Sequence, residues 1–173
     1  MNNRVMPCLH PKRIRANARR GALTARFAGT LGVFLLAFSQ LGEAACTITS
    51  TSVAFGAYNV FSAPAVPNDT GVGTVVVACR GGGSASSFPV DLSTGQSNSY
   101  AVRQMNSGAN LLNYNLYTNI ARTTVWGNGT GGTSRPTVKR QATTTLSVYG
   151  RIPGGQDAAV GNYADTIIAT VSF

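Results

Sequence analysis

The last nine residues, Asp165-Thr166-Ile167-Ile168-Ala169-Thr170-Val171-Ser172-Phe173, decide the fold. Ile167, Ala169, Val171 and Phe173 fall on one face and Ile168, Thr170 and Ser172 on the other, the period-two pattern of a half-buried strand. Working back along the chain, the same alternation recurs at Val75, Val77 and Cys79, at Phe88, Val90 and Leu92, at Leu112, Tyr114 and Leu116, and at Leu146 and Val148. Turn-rich stretches separate these runs at 63–71, 81–87, 127–136 and 153–161. No segment is rich enough in Ala, Glu, Lys and Leu to sustain a long helix, so the chain is expected to be all-β. Six principal strands are predicted, at 46–49 (continuing at 53–55), 73–79, 88–93, 111–117, 143–149 and 165–173. That pattern fits a small antiparallel, immunoglobulin-like sandwich, which ordinarily has about seven strands. Two readings stay open: a complete six-stranded domain with an ordinary C-terminal edge, or an incomplete sandwich lacking its final strand, whose groove another chain fills by β-augmentation.

The first 44 residues have a different character. Residues 1–26 are basic, 30–38 (TLGVFLLAF) form a short apolar core, and Gly42-Glu43-Ala44 puts small residues at −3 and −1. This is the pattern of a secretory signal peptide, 1–44, followed by one domain, 45–173. The apolar run is less than half of the roughly 20 residues that cross a bilayer, so no membrane span is expected after its removal. Seven of the 14 Lys and Arg residues lie in this leader, together with the only Glu and the only His. What remains has seven basic and four acidic residues, too weak a charge to suggest nucleic-acid binding. Without His or Glu it also lacks the usual general bases and metal ligands, so neither an enzyme nor a metal site nor a cofactor is expected. Export leaves Cys46 and Cys79 as an even pair in an oxidising compartment, which predicts one disulfide stapling the first two strands.

The remaining side chains with chemical potential have bland readings. Trp126, the only Trp, lies among glycines in VWGNGTGG and offers a ring for sugar stacking, but a lone Trp in a small β domain more often packs in the core. Gly127, Gly129, Gly131 and Gly132 lack the Lys and following helix of a phosphate loop and read as a turn. Asp69, Asp91, Asp157 and Asp165 are scattered beside turns and nominate no catalytic pair. Arg135, Lys139 and Arg140 read as a solvated basic face. Asn68-Asp69-Thr70 and Asn128-Gly129-Thr130 are formal glycosylation sequons.

The segments VAFGAY (53–58), TVVVAC (74–79), RQM (103–105), YNLYTNIARTTVWGNGTGG (114–132), VYGRIPGGQ (148–156) and GNYADTIIATVSF (161–173) together resemble the spore coat protein U family, which includes pilin subunits of archaic chaperone/usher pili. The resemblance runs from Cys46 to Phe173. It implies an incomplete immunoglobulin-like domain, secreted to the periplasm, held by a periplasmic chaperone that lends a strand, and passed by an outer-membrane usher to other pilin subunits at the cell surface. It also implies that Cys46 and Cys79 form the family's disulfide, and that Ile167, Ala169, Val171 and Phe173 line a partner-strand groove. Cleavage after Ala44 leaves only Ala45 ahead of Cys46, so a terminal or minor position is expected rather than a repeating shaft.

The function these features favour is a structural subunit of a surface fibre serving attachment and biofilm formation. The alternatives are a non-fibrous secreted coat or matrix protein and a carbohydrate-binding adhesin domain. Intact-mass analysis of the exported protein is expected to give a chain beginning at Ala45, lighter by two hydrogens before reduction than after it. A retained leader or two free thiols is the contrary result.

Overall fold

The computed structural model describes residues 45–61, 66–80 and 87–172. The expected leader and Phe173 lie outside the described residues. Eight strands follow in order: β1 (Ala45–Ser50), β2 (Val72–Arg80), β3 (Ser87–Leu92), β4 (Arg103–Ser107), β5 (Asn110–Tyr117), β6 (Thr137–Lys139), β7 (Thr143–Arg151) and β8 (Ala169–Val171). A single 3-10 turn, Gly95–Ser97, follows β3. One sheet has the order β1-β2-β7-β5-β4 and the other β6-β3-β8, and every pairing between these strands is antiparallel. The all-β, immunoglobulin-like sandwich expected from sequence is the observed architecture.

The period-two residues form its core. Val75, Val77 and Cys79 from β2, and Leu112, Tyr114 and Leu116 from β5, are buried together with Phe88, Val90 and Leu92 from β3. Cys46 and Cys79 are joined by a disulfide, and they lie opposite each other in the β1–β2 register.

Three differences from the expected strands have physical causes. First, Val53 and Phe55 are buried but do not extend β1. After the Thr51 N–H donates to Thr74 O at 2.9 Å, the chain leaves the sheet. It crosses a strip where Gly71, Gly73 and Gly150 have no side chain. A Cβ at Gly150 would lie 2.5 Å from the Phe55 ring, and one at Gly73 2.8 Å from Val53. Second, β4 and β6 were not anticipated. RQMNS and TVK are too polar or too short for periodicity to reveal, and β4 is defined by its hairpin with β5 through Gly108 and Ala109. Third, the terminal strand is shorter than 165–173, because side-chain hydrogen bonds rather than ladder pairing hold its first residues.

Two polar clusters tie the connecting segments down. Arg103 is fully buried. Its Nε and Nη2 donate to Ser93 O at 3.0 and 2.8 Å, Nη2 also to Trp126 O at 2.7 Å, and Nη1 to Asn115 Oδ1 at 2.6 Å. Burial lowers its pKa, and these acceptors compensate for lost water. At one end of the sandwich, Arg151 grips Asp69 through two bonds of 2.7 and 2.8 Å, and Arg122 Nε lies 3.4 Å from the same carboxylate. The hydrogen bond from Arg151 holds the Asp69 pKa below its ordinary value, and the charge of Arg122 adds to this.

Arg103→Met is expected to lower stability by about 3 kcal/mol, because it strands the Ser93 and Trp126 carbonyls in the interior, while Asn115 Oδ1 keeps its bond from Leu116 N–H; chemical denaturation measures it. Asp69 has a depressed folded-state pKa, so its stabilising contribution is present above the ordinary value of 3.8 and is lost as pH falls through the lower folded value. Asp69→Asn should therefore flatten the fall in melting temperature below about pH 4.

Candidate functional site

The site follows from which backbone groups the edge strands leave unused. β8 is the outer strand of its sheet, paired on one side with β3. Ser93 N–H donates to Ile168 O at 2.9 Å and Ser172 N–H to Pro89 O at 3.3 Å. In an antiparallel ladder the hydrogen-bonded pairs alternate, so Ile168, Thr170 and Ser172 direct their backbone groups toward β3. Ala169 and Val171 direct theirs the other way, where no strand pairs among the described residues. The side chains divide in the same way: Ile167, Ala169 and Val171 are half-buried against the core, while Ile168, Thr170 and Ser172 are exposed.

β1, the outer strand of the five-stranded sheet, has the same property. The Thr51–Thr74 bond sets the ladder phase, so Thr47 and Thr49 bond to β2 while Cys46, Ile48 and Ser50 turn their backbone groups outward. Cys46 and Cys79 are a non-hydrogen-bonded pair with Cα atoms 4.1 Å apart, the kind that brings side chains closest. β1 lies near β8 across the sandwich. The two edges thus face each other, each presenting inward apolar side chains and, on the side away from its ladder partner, the backbone groups of the same residues.

The opposite flank is closed. On β4 and β6, the strands at that side, the inward residues Met105 and Val138 are 3% and 1% exposed. Trp126 seals this side: its ring has no exposed surface and its Nε1 donates to Val90 O at 2.9 Å. The possible ligand contact at Trp126, the less common of its two readings, does not fit this geometry, because a ring enclosed in the core has no face for a sugar.

The structure disperses the other residues singled out from sequence. Asp91 pairs with Arg135 at 2.8 and 2.7 Å, which balances the charge of Arg135 at the exposed surface. Asp165 is not a simple turn residue. It is 3% exposed and accepts hydrogen bonds from Gln96 N–H, Thr166 N–H and the Tyr114 hydroxyl. Burial and then the Asp165 charge push the Tyr114 pKa far above the ordinary tyrosine value, so that hydroxyl remains a donor. Among the described residues no three His, Cys, Asp or Glu side chains are placed to hold a metal ion, and no helix is long and apolar enough to cross a membrane. Sequence reading missed Arg103 and β4. The signal was an arginine in register with the inward face of a strand too polar to be recognised.

The profile of the Spore Coat Protein U domain matches residues 33–170. The chain belongs to the spore coat protein U domain family. It is 38% identical over 74 residues to "Protein U" of Myxococcus xanthus, a match covering 42% of this chain and 41% of that protein, so it spans less than half the length of this relative. A solved structure, the CsuC–CsuE chaperone–tip adhesion subunit pre-assembly complex from archaic chaperone-usher Csu pili of Acinetobacter baumannii, aligns over 76% of this chain and 40% of the other, at 21% identity and a TM-score of 0.46.

For this spore coat protein U domain, residue-resolved hydrogen exchange of freshly isolated monomer should alternate along β8. The amides of Ile168, Thr170 and Ser172 are expected to exchange slowly, and those of Ala169 and Val171 rapidly. Uniform protection through all five positions would mean that the outer edge is paired.

Proposed function

We propose that this chain is a structural subunit of a surface fibre assembled by the chaperone/usher route, and that it accepts a partner strand along β1 and β8. One observation carries the reading: among the described edge strands, β1 and β8 are the pair whose inward apolar residues stay half-buried, and the backbone donors and acceptors of those residues point away from the strands they pair with. A strand laid there pairs with both edges and covers Ile48, Ile167, Ala169 and Val171 at once. Membership of the spore coat protein U family supports it, since the resemblance implies donor-strand exchange with a periplasmic chaperone and then other subunits. Passage through the periplasm to the cell surface, a role in attachment and biofilm formation, and a terminal or minor position in the fibre belong to the same proposal. Phe173 joins Ile167, Ala169 and Val171 as a groove residue in it.

A non-fibrous coat or matrix protein is the second reading, and the family's coat description favours it. A carbohydrate-binding adhesin loses its chief support with the burial of Trp126.

Expression in the periplasm without a partner should give low yield and concentration-dependent association, because the apolar strip is open. A segment of alternating apolar residues, fused after Phe173 through a flexible linker, should restore a monomer. Val171→Asp is expected to abolish this rescue, since it places an unpaired charge on the covered face, and Ser172→Asp should be milder. A monodisperse, cooperatively melting monomer without any partner, with the two variants alike, overturns the proposal. Fibres seen by electron microscopy with the cognate chaperone and usher, against none, separate the pilus from the coat reading.

A further inference from the structure

We propose that Asp165 is the positioning residue for strand acceptance: its buried carboxylate fixes the register of the terminal segment, so that Ala169 and Val171 face the open edge before a partner arrives. This rests on the strand-acceptor reading and deepens it.

β8 has three residues in ladder pairing with a single neighbour, too little to hold its own register. Register matters here more than elsewhere. A slip of one residue would exchange Ile167, Ala169 and Val171 for Ile168, Thr170 and Ser172, turning hydroxyls inward and reversing which backbone groups meet the gap.

The fixed point lies just before the strand. Asp165 Oδ1 accepts from Gln96 N–H at 3.1 Å and Thr166 N–H at 2.7 Å, and Oδ2 accepts from the Tyr114 hydroxyl at 2.7 Å. Gln96 belongs to the 3-10 turn after β3, and Tyr114 to β5 in the opposite sheet. One carboxylate therefore references the terminal segment to both layers of the sandwich. Charged acceptors make the stronger hydrogen bonds, which suits a single anchor.

The neighbouring chain is shaped to admit that carboxylate. Gly95 has φ +68°, and a Cβ there would stand 2.0 Å from Asp165 Oδ2. Ser93 completes the hold, its N–H donating to Ile168 O and its Oγ accepting from Ile168 N–H, both at 2.9 Å. On the other side, Ala164 and Asn106 exchange backbone bonds of 3.0 and 2.9 Å. Residues 164–168 are thus pinned from three directions, and the open edge begins directly after them.

The test compares Asp165→Ala, Asp165→Asn, Gly95→Ala and Tyr114→Phe in the full exported chain. Gly108→Ala serves as control, because Gly108 also has positive φ (+60°) but no atom near its would-be Cβ. The readouts are residue-resolved hydrogen exchange without a donor, and the capture rate of a synthetic peptide of alternating valine and threonine. Asp165→Ala and Gly95→Ala are expected to speed exchange at Ile168, Thr170 and Ser172 about tenfold or more, leave β2 and β7 unchanged, and slow capture by a similar factor. Asp165→Asn, which still accepts from both N–H groups, and Tyr114→Phe should retain most of both properties, and Gly108→Ala should resemble the parent. If Asp165→Ala fails to fold, the contrast between Gly95→Ala and Gly108→Ala decides. Parent-like exchange at these three amides, or parent-like capture, in Asp165→Ala and Gly95→Ala overturns the role of Asp165. A parent chain that captures no peptide overturns strand acceptance itself.

Discussion

An apolar side chain on the outermost strand of a sheet is shielded from water on one flank only, and this sandwich must cover four such strands. It does so on one side and leaves the other open. β4 and β6 are sealed by segments that cross from one layer to the other, with Trp126 hydrogen-bonded to β3 and Arg103 fastening the loops around it. Near β1 and β8 no described segment performs that service, and Cys46, Ile48, Ile167, Ala169 and Val171 remain half-buried. The asymmetry between flanks, rather than the number of strands, is what the strand-acceptor proposal rests on.

An open edge is useful to a partner only if it keeps its shape while empty, since each residue ordered on binding costs about 1–2 kcal/mol of backbone entropy. Both edges are held by interactions that leave the gap-facing backbone free. On β1 the disulfide joins a non-hydrogen-bonded pair, so the cross-link occupies the inward side chain and no ladder group. In the chain-entropy model, closing a separation of 33 residues contributes about 4 kcal/mol, a large share of the stability of a small domain. Next to β8 the fastening is polar, through Asp165 and Ser93, and it too lies on the side away from the gap.

Much of this was legible in the sequence, for a physical reason. Period-two alternation reports burial directly, so the inward faces of β2, β3 and β5 and the partition of Ile167, Ala169 and Val171 from their neighbours followed from the residues alone. So did the cysteine pair. What periodicity does not report is hydrogen bonding. The chain at Val53 and Phe55 alternates like a strand, yet it crosses the sheet, because Gly71, Gly73 and Gly150 open a channel for it. β4 carries Arg103 at an inward position, which a hydrophobicity pattern scores as outward. Asp165 looked like a turn residue because its partners, Gln96 and Tyr114, are 69 and 51 positions away. Trp126 was legible as core from its type, but not as the seal of one flank.

On the strand-acceptor proposal, the distribution of polar groups also bears on what sort of strand fits between β1 and β8. No buried side-chain nitrogen or oxygen lacks a partner among the described residues, so the interior offers an entering strand no unpaired side-chain group to satisfy. What the two edges would offer such a strand is backbone groups and the methyl and methylene surface of Ile48, Ile167, Ala169 and Val171. Recognition of that kind distinguishes alternating apolar strands from polar ones by the hydrophobic term, at roughly 25 cal/mol per Å² covered, while the backbone pairing is indifferent to sequence. Discrimination among apolar strands must then come from fit, and the residues that set the fit are unequal: Ala169 is small between the larger Ile167 and Val171. A partner strand with its bulkiest side chain opposite Ala169 fills that depression, whereas one shifted by two residues places bulk against Val171 and leaves a void at Ala169 that costs dispersion contacts on both sides.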